Sequence, residues 1–371
     1  MLIGVPSEIK AQELRVGLTP ASVQELVNHG HQVLVQDQAG YGAGFENSDY
    51  KNTGAKIINE ASDIFNDADL IVKVKEPLQN EIEMIRENQI LFTYLHLAAA
   101  PELTAGLIKS KAVCIAYETV TDENNRLPLL APMSAVAGRM SIQAGAHSLE
   151  KTQNGRGLLL GGAPGVQPSN VLILGGGVVG ENATIIAIGM QATVTVIDKS
   201  SQRLKELHSK FGDSIIPLQS DEIDLKKQIQ NCDLLIGGVL VPGANAPKLV
   251  SKEMISSMKR GAVVVDVAID QGGCVETSKP TTHADPTYTI EGIVHYCVTN
   301  MPGGVPMTST LALNAVTLPF VLKLAQKGYA KALASDANFL AGLNICQGNV
   351  TYKAVADDLN YEYINASSAI N

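Results

Sequence analysis

Hydrophobic residues in this chain gather in short runs, divided by longer polar stretches in which apolar residues recur at helical spacing. Residues 2–5, 33–35, 70–74, 90–95 and 113–116 read as buried strands. Thr19 predicts a helix N-cap with Pro20 at the first helical position, and Gly30 ends that helix after Leu26, Val27, Asn28 and His29. Strands alternating with helices in this way predict a parallel sheet covered on both faces. The segment 122–132 is polar and then proline-bearing, as expected of a crossing between domains, and a helix is predicted from Ser134 to about Thr152. A glycine-rich loop, 155–165, leads into a second strand series at 171–174, 192–197, 233–236 and 262–266. The tail from 308 to 328 predicts a helix bent at Pro319. No internal repeat interrupts the pattern.

The most informative juncture follows the run Val171-Leu-Ile-Leu174. It is met at once by Gly175-Gly-Gly177-Val178-Val179-Gly180, a G-x-G-x-x-G between a strand and a helix. Gly175 permits the tight turn, Gly177 lets a pyrophosphate approach the backbone, and Gly180 lets the helix pack closely on its strand. The next strand ends on Asp198, 18 residues past Gly180, where an acid accepts hydrogen bonds from an adenosine ribose. The pattern predicts dinucleotide binding. Asp198 favours NAD over NADP, because a carboxylate repels a 2′-phosphate.

Bulk properties narrow the classes. A length of 371 residues predicts two domains. A formal net charge of -9 and a pI near 5.3 argue against nucleic acid or an anionic membrane as partner. Tryptophan is absent and aromatics make up only 4%, too few for stacking platforms. Cys114, Cys232, Cys274, Cys297 and Cys346 are widely spaced and include no C-x-x-C, so reduced thiols in a cytoplasm are expected, with no metal. The N-terminus lacks the basic-then-apolar pattern of a signal peptide, and the weakly charged stretch 171–197 reads as strand–turn–helix–strand, not as a membrane span.

With a nucleotide on the second domain, substrate is expected in the cleft between domains, at the carboxyl ends of strands. The polar residues there are Arg15, Lys75 and His96 in the first domain and Asp270 in the second. Such a set suits a small α-amino or α-keto acid. Arginine offers a planar fork to a carboxylate. Lys75 would stabilise charge on the carbonyl or carbinolamine oxygen. His96 would exchange protons near neutrality, and Asp270 would orient or activate water. Each residue alone is more often a solvated charge or a structural histidine; their joint placement is what raises the functional reading.

The chain resembles the alanine dehydrogenase / transhydrogenase NAD-binding subunit family, and alanine dehydrogenases in particular, along essentially its full length. The resemblance rests on residues 4–10 (GVPSEIK), 13–20 (ELRVGLTP), 72–77 (VKVKEP), 93–98 (TYLHLA), 131–139 (APMSAVAGR), 175–180 (GGGVVG), 265–273 (VDVAIDQGG) and 300–306 (NMPGGVP). It implies an α/β fold of two doubly wound Rossmann-like domains with parallel sheets. The substrate domain would be discontinuous, 1–128 with 307–371, around an NAD-binding domain at 129–306. It implies a cytoplasmic homohexamer that interconverts L-alanine with pyruvate and ammonium using NAD.

Residue by residue, it implies substrate binding by Arg15 and Lys75 and catalysis by His96 and Asp270. NAD contacts are implied at Met133, Ser134, Gly175, Gly177, Val178, Val179, Gly180, Asp198, Arg203, Ser220, Val239 and Leu240. They continue at Val267, Ala268, Ile269, Asp270, Lys279, Val298, Thr299, Asn300 and Met301. Arg203 stands where such enzymes often carry lysine, and Lys279 where arginine is common. Met133 and Leu130 are also candidate walls for the alanine methyl. The competing functions are the soluble NAD-binding part of a proton-translocating transhydrogenase and a catalytically silent NAD sensor; neither needs the convergent set Arg15, Lys75, His96 and Asp270.

Overall fold

The structure is a computed structural model that describes residues 1–221, 224–239 and 246–370. The chain forms two compact units, Met1–Pro132 with Val305–Asn371, and Met133–Gly304. The divisions thus fall at 132/133 and 304/305, a few residues from the expected 128/129 and 306/307.

Fifteen strands occur among the described residues. In chain order they are β1 (Leu2–Val5), β2 (Gln32–Gln36), β3 (Lys56–Ile58), β4 (Leu70–Val72), β5 (Ile90–Thr93) and β6 (Val113–Ala116), then β7 (Asn170–Leu174), β8 (Thr193–Asp198) and β9 (Ile215–Gln219). There follow β10 (Leu234–Gly237), β11 (Val263–Asp266), β12 (Thr287–Ile290), β13 (Ile293–Tyr296), β14 (Leu343–Cys346) and β15 (Asn349–Val350).

The first unit's sheet runs β15-β14-β6-β5-β4-β1-β2-β3. From β3 to β6 every pairing is parallel, in the doubly wound order 3-2-1-4-5-6. Only the returning C-terminal segment adds antiparallel pairs, β14 on β6 and β15 on β14. The second unit's sheet, β12-β13-β11-β10-β7-β8-β9, follows the same winding rule, with β12 antiparallel at its edge. The expected parallel sheets are present, and antiparallel strands are added at their edges. A hairpin such as β12–β13 needs only a two-residue connection, so no crossover helix marks it in the sequence.

Continuous apolar runs form these central strands because both faces are buried. In β7 and β10, Val171, Ile173, Leu234 and Ile236 pack on one side with Ile142, Ala183 and Ala187. Their neighbours Leu172, Leu174 and Leu235 pack on the other with Ile229, Val250 and Ile255. The two-residue alternation of strand side chains is what divides them, and each buried side chain contributes about 1.5–3 kcal/mol. All five cysteines are free and buried.

Two helix expectations change. The helix predicted at 134–152 spans Ala131–Ser148, followed by a 3-10 turn at Lys151–Gln153. The C-terminal helix, Pro306–Ala334, keeps helical backbone through Pro319; its break comes at Gly328, at φ 71° and ψ 161°. Glycine reaches that conformation at no steric cost, whereas a proline needs only the local loss of one hydrogen bond. By length and composition alone this helix is long and apolar enough to cross a membrane. In the first unit it anchors the loop after β1. Thr19 N–H donates to Asn314 Oδ1 at 2.8 Å, Val16 N–H to Thr310 Oγ1 at 3.3 Å, and Asn314 Nδ2 to the Gly17 carbonyl at 3.2 Å.

Candidate active site

In the first unit, β1, β4, β5 and β6 are parallel neighbours. Arg15 follows the first of them, Lys75 the second and His96 the third, so three substrate candidates far apart in sequence belong to loops on one side of one sheet. Thr19, whose side chain caps the helix Pro20–Asn28 by accepting from Ser22 N–H at 3.1 Å, ends the Arg15 loop.

Arg15 is buried, and its guanidinium forks onto Glu13. Nε donates to Oε1 at 2.6 Å and Nη2 to Oε2 at 2.5 Å, while Oε1 also accepts the Arg15 N–H. Burial alone would lower its pKa, but the Glu13 carboxylate outweighs it and raises the value, so the charge is permanent. Tyr94 lies within electrostatic reach of Arg15 and stacks on His96, with ring centroids 6.0 Å apart and planes within 3°. Its hydroxyl donates to the Leu129 carbonyl at 2.6 Å, and burial pushes its pKa well up.

Lys75 is half-buried, three residues past the end of β4, and its carbonyl accepts from Thr93 Oγ1 at 2.9 Å. Two residues before it begins a buried ion cluster. Lys73 is 0 % exposed, donating to Glu81 Oε1 at 2.6 Å and facing Glu8 Oε2 at 3.3 Å. Burial would depress the lysine, yet the two carboxylates hold its pKa up; burial raises that of Glu8 despite Lys73. Glu8 Oε1 accepts the Val74 N–H at 2.7 Å, fixing the backbone that leads to Lys75. Lys10 pairs with Glu76 beside it.

His96 is half-exposed and lies in the left-handed region, φ 51° and ψ 43°, as N-cap of the 3-10 turn Leu97–Ala99. Glu118, which follows β6, accepts its backbone N–H at 2.6 Å. Sequence reading missed Glu8, Glu13, Lys73, Glu81 and Glu118. Glu8, Glu13 and Lys73 lie within the family-like runs, whereas Glu81 and Glu118 carry no local signal.

In the second unit, the glycine loop joins β7 to the helix Val178–Gly189, at the point where the strand order reverses between β7 and β10. Gly175 has φ 94°, and a Cβ on Gly180 would stand 1.8 Å from the Gly175 carbonyl oxygen. Gly180 is therefore required by its own loop more than by packing of the helix on the strand. Among the described residues, a Cβ on Gly177 would meet nothing within 4 Å and no side chain caps the helix that starts there. The loop therefore offers an open helix N-terminus, the arrangement that receives a pyrophosphate.

Asp198 ends β8 beside the loop. Its Oδ2 accepts Gly176 N–H at 2.6 Å and its Oδ1 accepts Ser200 N–H at 2.8 Å. Arg203 braces the same loop, Nε donating to the Gly176 carbonyl at 2.7 Å and the guanidinium pairing with Glu181 and Glu206. Ser220, after β9, donates its N–H to the Asp198 carbonyl at 3.1 Å. Val178 is exposed, Val179 buried and Val239 half-buried after β10; Leu240 lies outside the described residues.

Asp270 is exposed in the 3-10 turn Val267–Gln271, with Val267 half-buried and Ala268 and Ile269 buried. The turn is built by buried Asp266, which accepts from Ala268 N–H and Val275 N–H at 3.1 Å and from Ser278 Oγ at 2.7 Å. Lys279 is exposed, its N–H donating to Tyr288 Oη at 2.7 Å. Val298 and Met301 are buried and Thr299 half-buried; Asn300 has φ 59°, its carbonyl 3.1 Å from His283 Nε2. Met133 is buried and Ser134 half-buried, both within the helix Ala131–Ser148. The substrate candidates Arg15, Lys75 and His96 thus share the first unit, and Asp270 belongs to the second with the nucleotide candidates.

Two doubly wound units, one with a glycine loop opening a helix and one with strand-end cations and a histidine, have the form of a nucleotide-binding α/β dehydrogenase. The chain matches the families described as "Alanine dehydrogenase/PNT, N-terminal domain" over residues 4–137 and "Alanine dehydrogenase/PNT, C-terminal domain" over 141–353. It is 56% identical over 370 residues to an alanine dehydrogenase of Halomonas elongata and 53% identical over 371 residues to one of Bacillus subtilis. These alignments cover 100% of this chain and 100% and 98% of the relatives. A solved L-alanine dehydrogenase matches at TM-score 0.94 and 51% identity, covering 97% of this chain and 99% of its own. A transhydrogenase from Sinorhizobium meliloti shares the fold at TM-score 0.82 and 22% identity, covering 95% of this chain and 100% of its own. The chain belongs to the alanine dehydrogenase/PNT family.

Proposed function

We propose that this protein catalyses the reversible oxidative deamination of L-alanine to pyruvate and ammonium with NAD, as a cytoplasmic homohexamer. The observation that carries the reading is Arg15, Lys75 and His96 following three adjacent parallel strands of a chain whose full-length relatives are named alanine dehydrogenases.

The nucleotide-side residues fit a dinucleotide, because the loop at Gly177 is open where a side chain would obstruct an approaching pyrophosphate. Gly175, Gly177, Val178, Val179 and Gly180 would hold that group, Asp198 the adenosine ribose, and Ser134, Val239, Val267 and Asn300 the rest. A nicotinamide held there would supply the chemistry of hydride exchange with the substrate Cα.

Arg15, fixed in plane by Glu13, binds the substrate carboxylate. Lys75 stabilises negative charge on the carbonyl or carbinolamine oxygen. Water addition to the imino carbon and loss of ammonia require proton transfers at that oxygen and nitrogen, which His96 performs, with Asp270 orienting the water. Met133 and Leu130 bound the methyl.

The test is the absorbance of NADH on adding pyruvate and ammonium together. Consumption that requires both supports the reading. Intact NADH binding without consumption overturns it in favour of a transhydrogenase component or a silent sensor, and hydride exchange between NADH and an NADP analogue separates those two.

A further inference from the structure

Glu118 completes the series of loops that carries Arg15, Lys75 and His96. It follows β6, the fourth of the adjacent parallel strands, within the 3-10 turn Tyr117–Thr119. Its side chain is only 12% exposed. Oε1 accepts the N–H of His96 at 2.6 Å, and both oxygens accept the N–H of Leu95, at 3.2 and 3.3 Å. His96 Nδ1 is 3.8 Å from the same Oε1, too far for a direct hydrogen bond and close enough to face the carboxylate.

His96 needs this support. A residue with a Cβ rarely occupies φ 51°, ψ 43°, and it persists there only when its surroundings over-determine it. Tyr94 restrains the ring from one side by stacking. Two consecutive amides leaving β5 would otherwise lack ladder partners, and a half-exposed histidine has little packing to hold it.

We propose that Glu118 is a positioning residue for the reaction, acting through His96. By gripping the amides of Leu95 and His96 from the neighbouring strand, it fixes the left-handed turn and hence the direction of the imidazole. The proposal rests on His96 being the proton-transfer group. It predicts that Glu118 affects the chemical step and leaves the binding of pyruvate and NADH nearly alone.

The experiment is a double-mutant cycle in the full-length protein, reading kcat, the pyruvate KM and NADH affinity by fluorescence. Glu118→Ala is expected to lower kcat by about tenfold to hundredfold, the range that release of a strained turn corresponds to, with pyruvate KM and NADH affinity within about threefold. In a His96→Ala background the same substitution is expected to change kcat by less than about twofold, because the group it positions is gone. Glu118→Gln, which keeps a side-chain oxygen to accept the His96 N–H, is expected to recover most of the loss.

Equal kcat losses from Glu118→Ala in the two backgrounds would overturn the proposal, since a merely structural residue costs the same with or without His96. So would a kcat within threefold of the parent. If Glu118→Ala fails to fold, Glu118→Asp takes its place in the same cycle: its shorter reach should loosen the turn, and equal losses in the two backgrounds again overturn the idea. A parent enzyme that does not consume NADH with pyruvate and ammonium would instead defeat the proposed function. The geometry of Glu118 on His96 would then still be read by the protection of the His96 amide against hydrogen exchange, lost in Glu118→Ala.

Discussion

In the first unit, Lys73 and Arg15 have almost no contact with solvent and each is tied to carboxylates, Lys73 to Glu8 and Glu81 and Arg15 to Glu13 two residues before it. In the second, the charges beside the glycine loop are half-exposed: Asp198 bonds backbone N–H groups, and Arg203 shares Glu181 with Lys210. For Arg15 the difference follows from what the unit is proposed to bind, whereas Lys73 belongs to the buried cluster that fixes the backbone leading to Lys75. A three-carbon acid has few atoms, so a site for it gains most from a strong, desolvated charge aimed at its single carboxylate. A dinucleotide is long, so backbone amides, a helix terminus and an open glycine face suffice.

The comparison breaks first at His96. Its replacement by alanine is expected to lower turnover by about 10²–10⁴-fold while NADH affinity stays intact. Turnover within about threefold of the parent would remove the proton-transfer role from the first unit.

Ion-pair deletions sharpen the contrast next. Removing Glu81 leaves buried Lys73 with one carboxylate, and Glu81→Ala is expected to cost about 3 kcal/mol, seen as a fall in thermal midpoint. Glu181→Ala removes a half-exposed partner of Arg203 and Lys210 and is expected to cost less than about 1 kcal/mol. Similar losses at the two sites would mean that burial does not separate the units.

Arg15→Lys tests whether the planar fork matters beyond its charge. The pyruvate KM is expected to rise about tenfold or more, since one cation replaces a bidentate group, with NADH affinity unchanged. Unaltered pyruvate kinetics would assign Arg15 to pairing with Glu13 alone.

Asp198→Ala addresses the second unit. The preference for NADH over NADPH is expected to relax by roughly tenfold as the repulsion of a 2′-phosphate disappears. Equal use of both nucleotides by the parent would refute the role of Asp198.

The smallest effect is on pH. Burial would raise the Glu76 pKa, but the pair with Lys10 and the charge of Lys75 hold it below the ordinary 4.5. A lowered native pKa stabilises the fold above the ordinary value and loses that contribution as pH falls through the native one. Glu76→Gln should therefore flatten the acid side of the stability curve below about pH 4.5, measured by denaturant midpoints.

The sequence by itself determined what is local. Apolar runs located the central strands, Thr19 and Pro20 the first helix, and Gly175 to Gly180 the glycine loop between β7 and its helix, because turn geometry and strand burial act between residues a few positions apart. Arg15, Lys75 and His96 were legible as polar residues after strands. Only the tertiary structure decided what stands beside them. Parallel pairing of β1, β4, β5 and β6 brings Glu118 to His96 across 22 positions, and helix Pro306–Ala334 brings Asn314 to Thr19 across 295. The antiparallel edge strands and the break at Gly328 were decided at the same level. A buried charge needs its counter-charge within a few ångströms, and distance in space, unlike spacing along the chain, exists only once the sheet has formed.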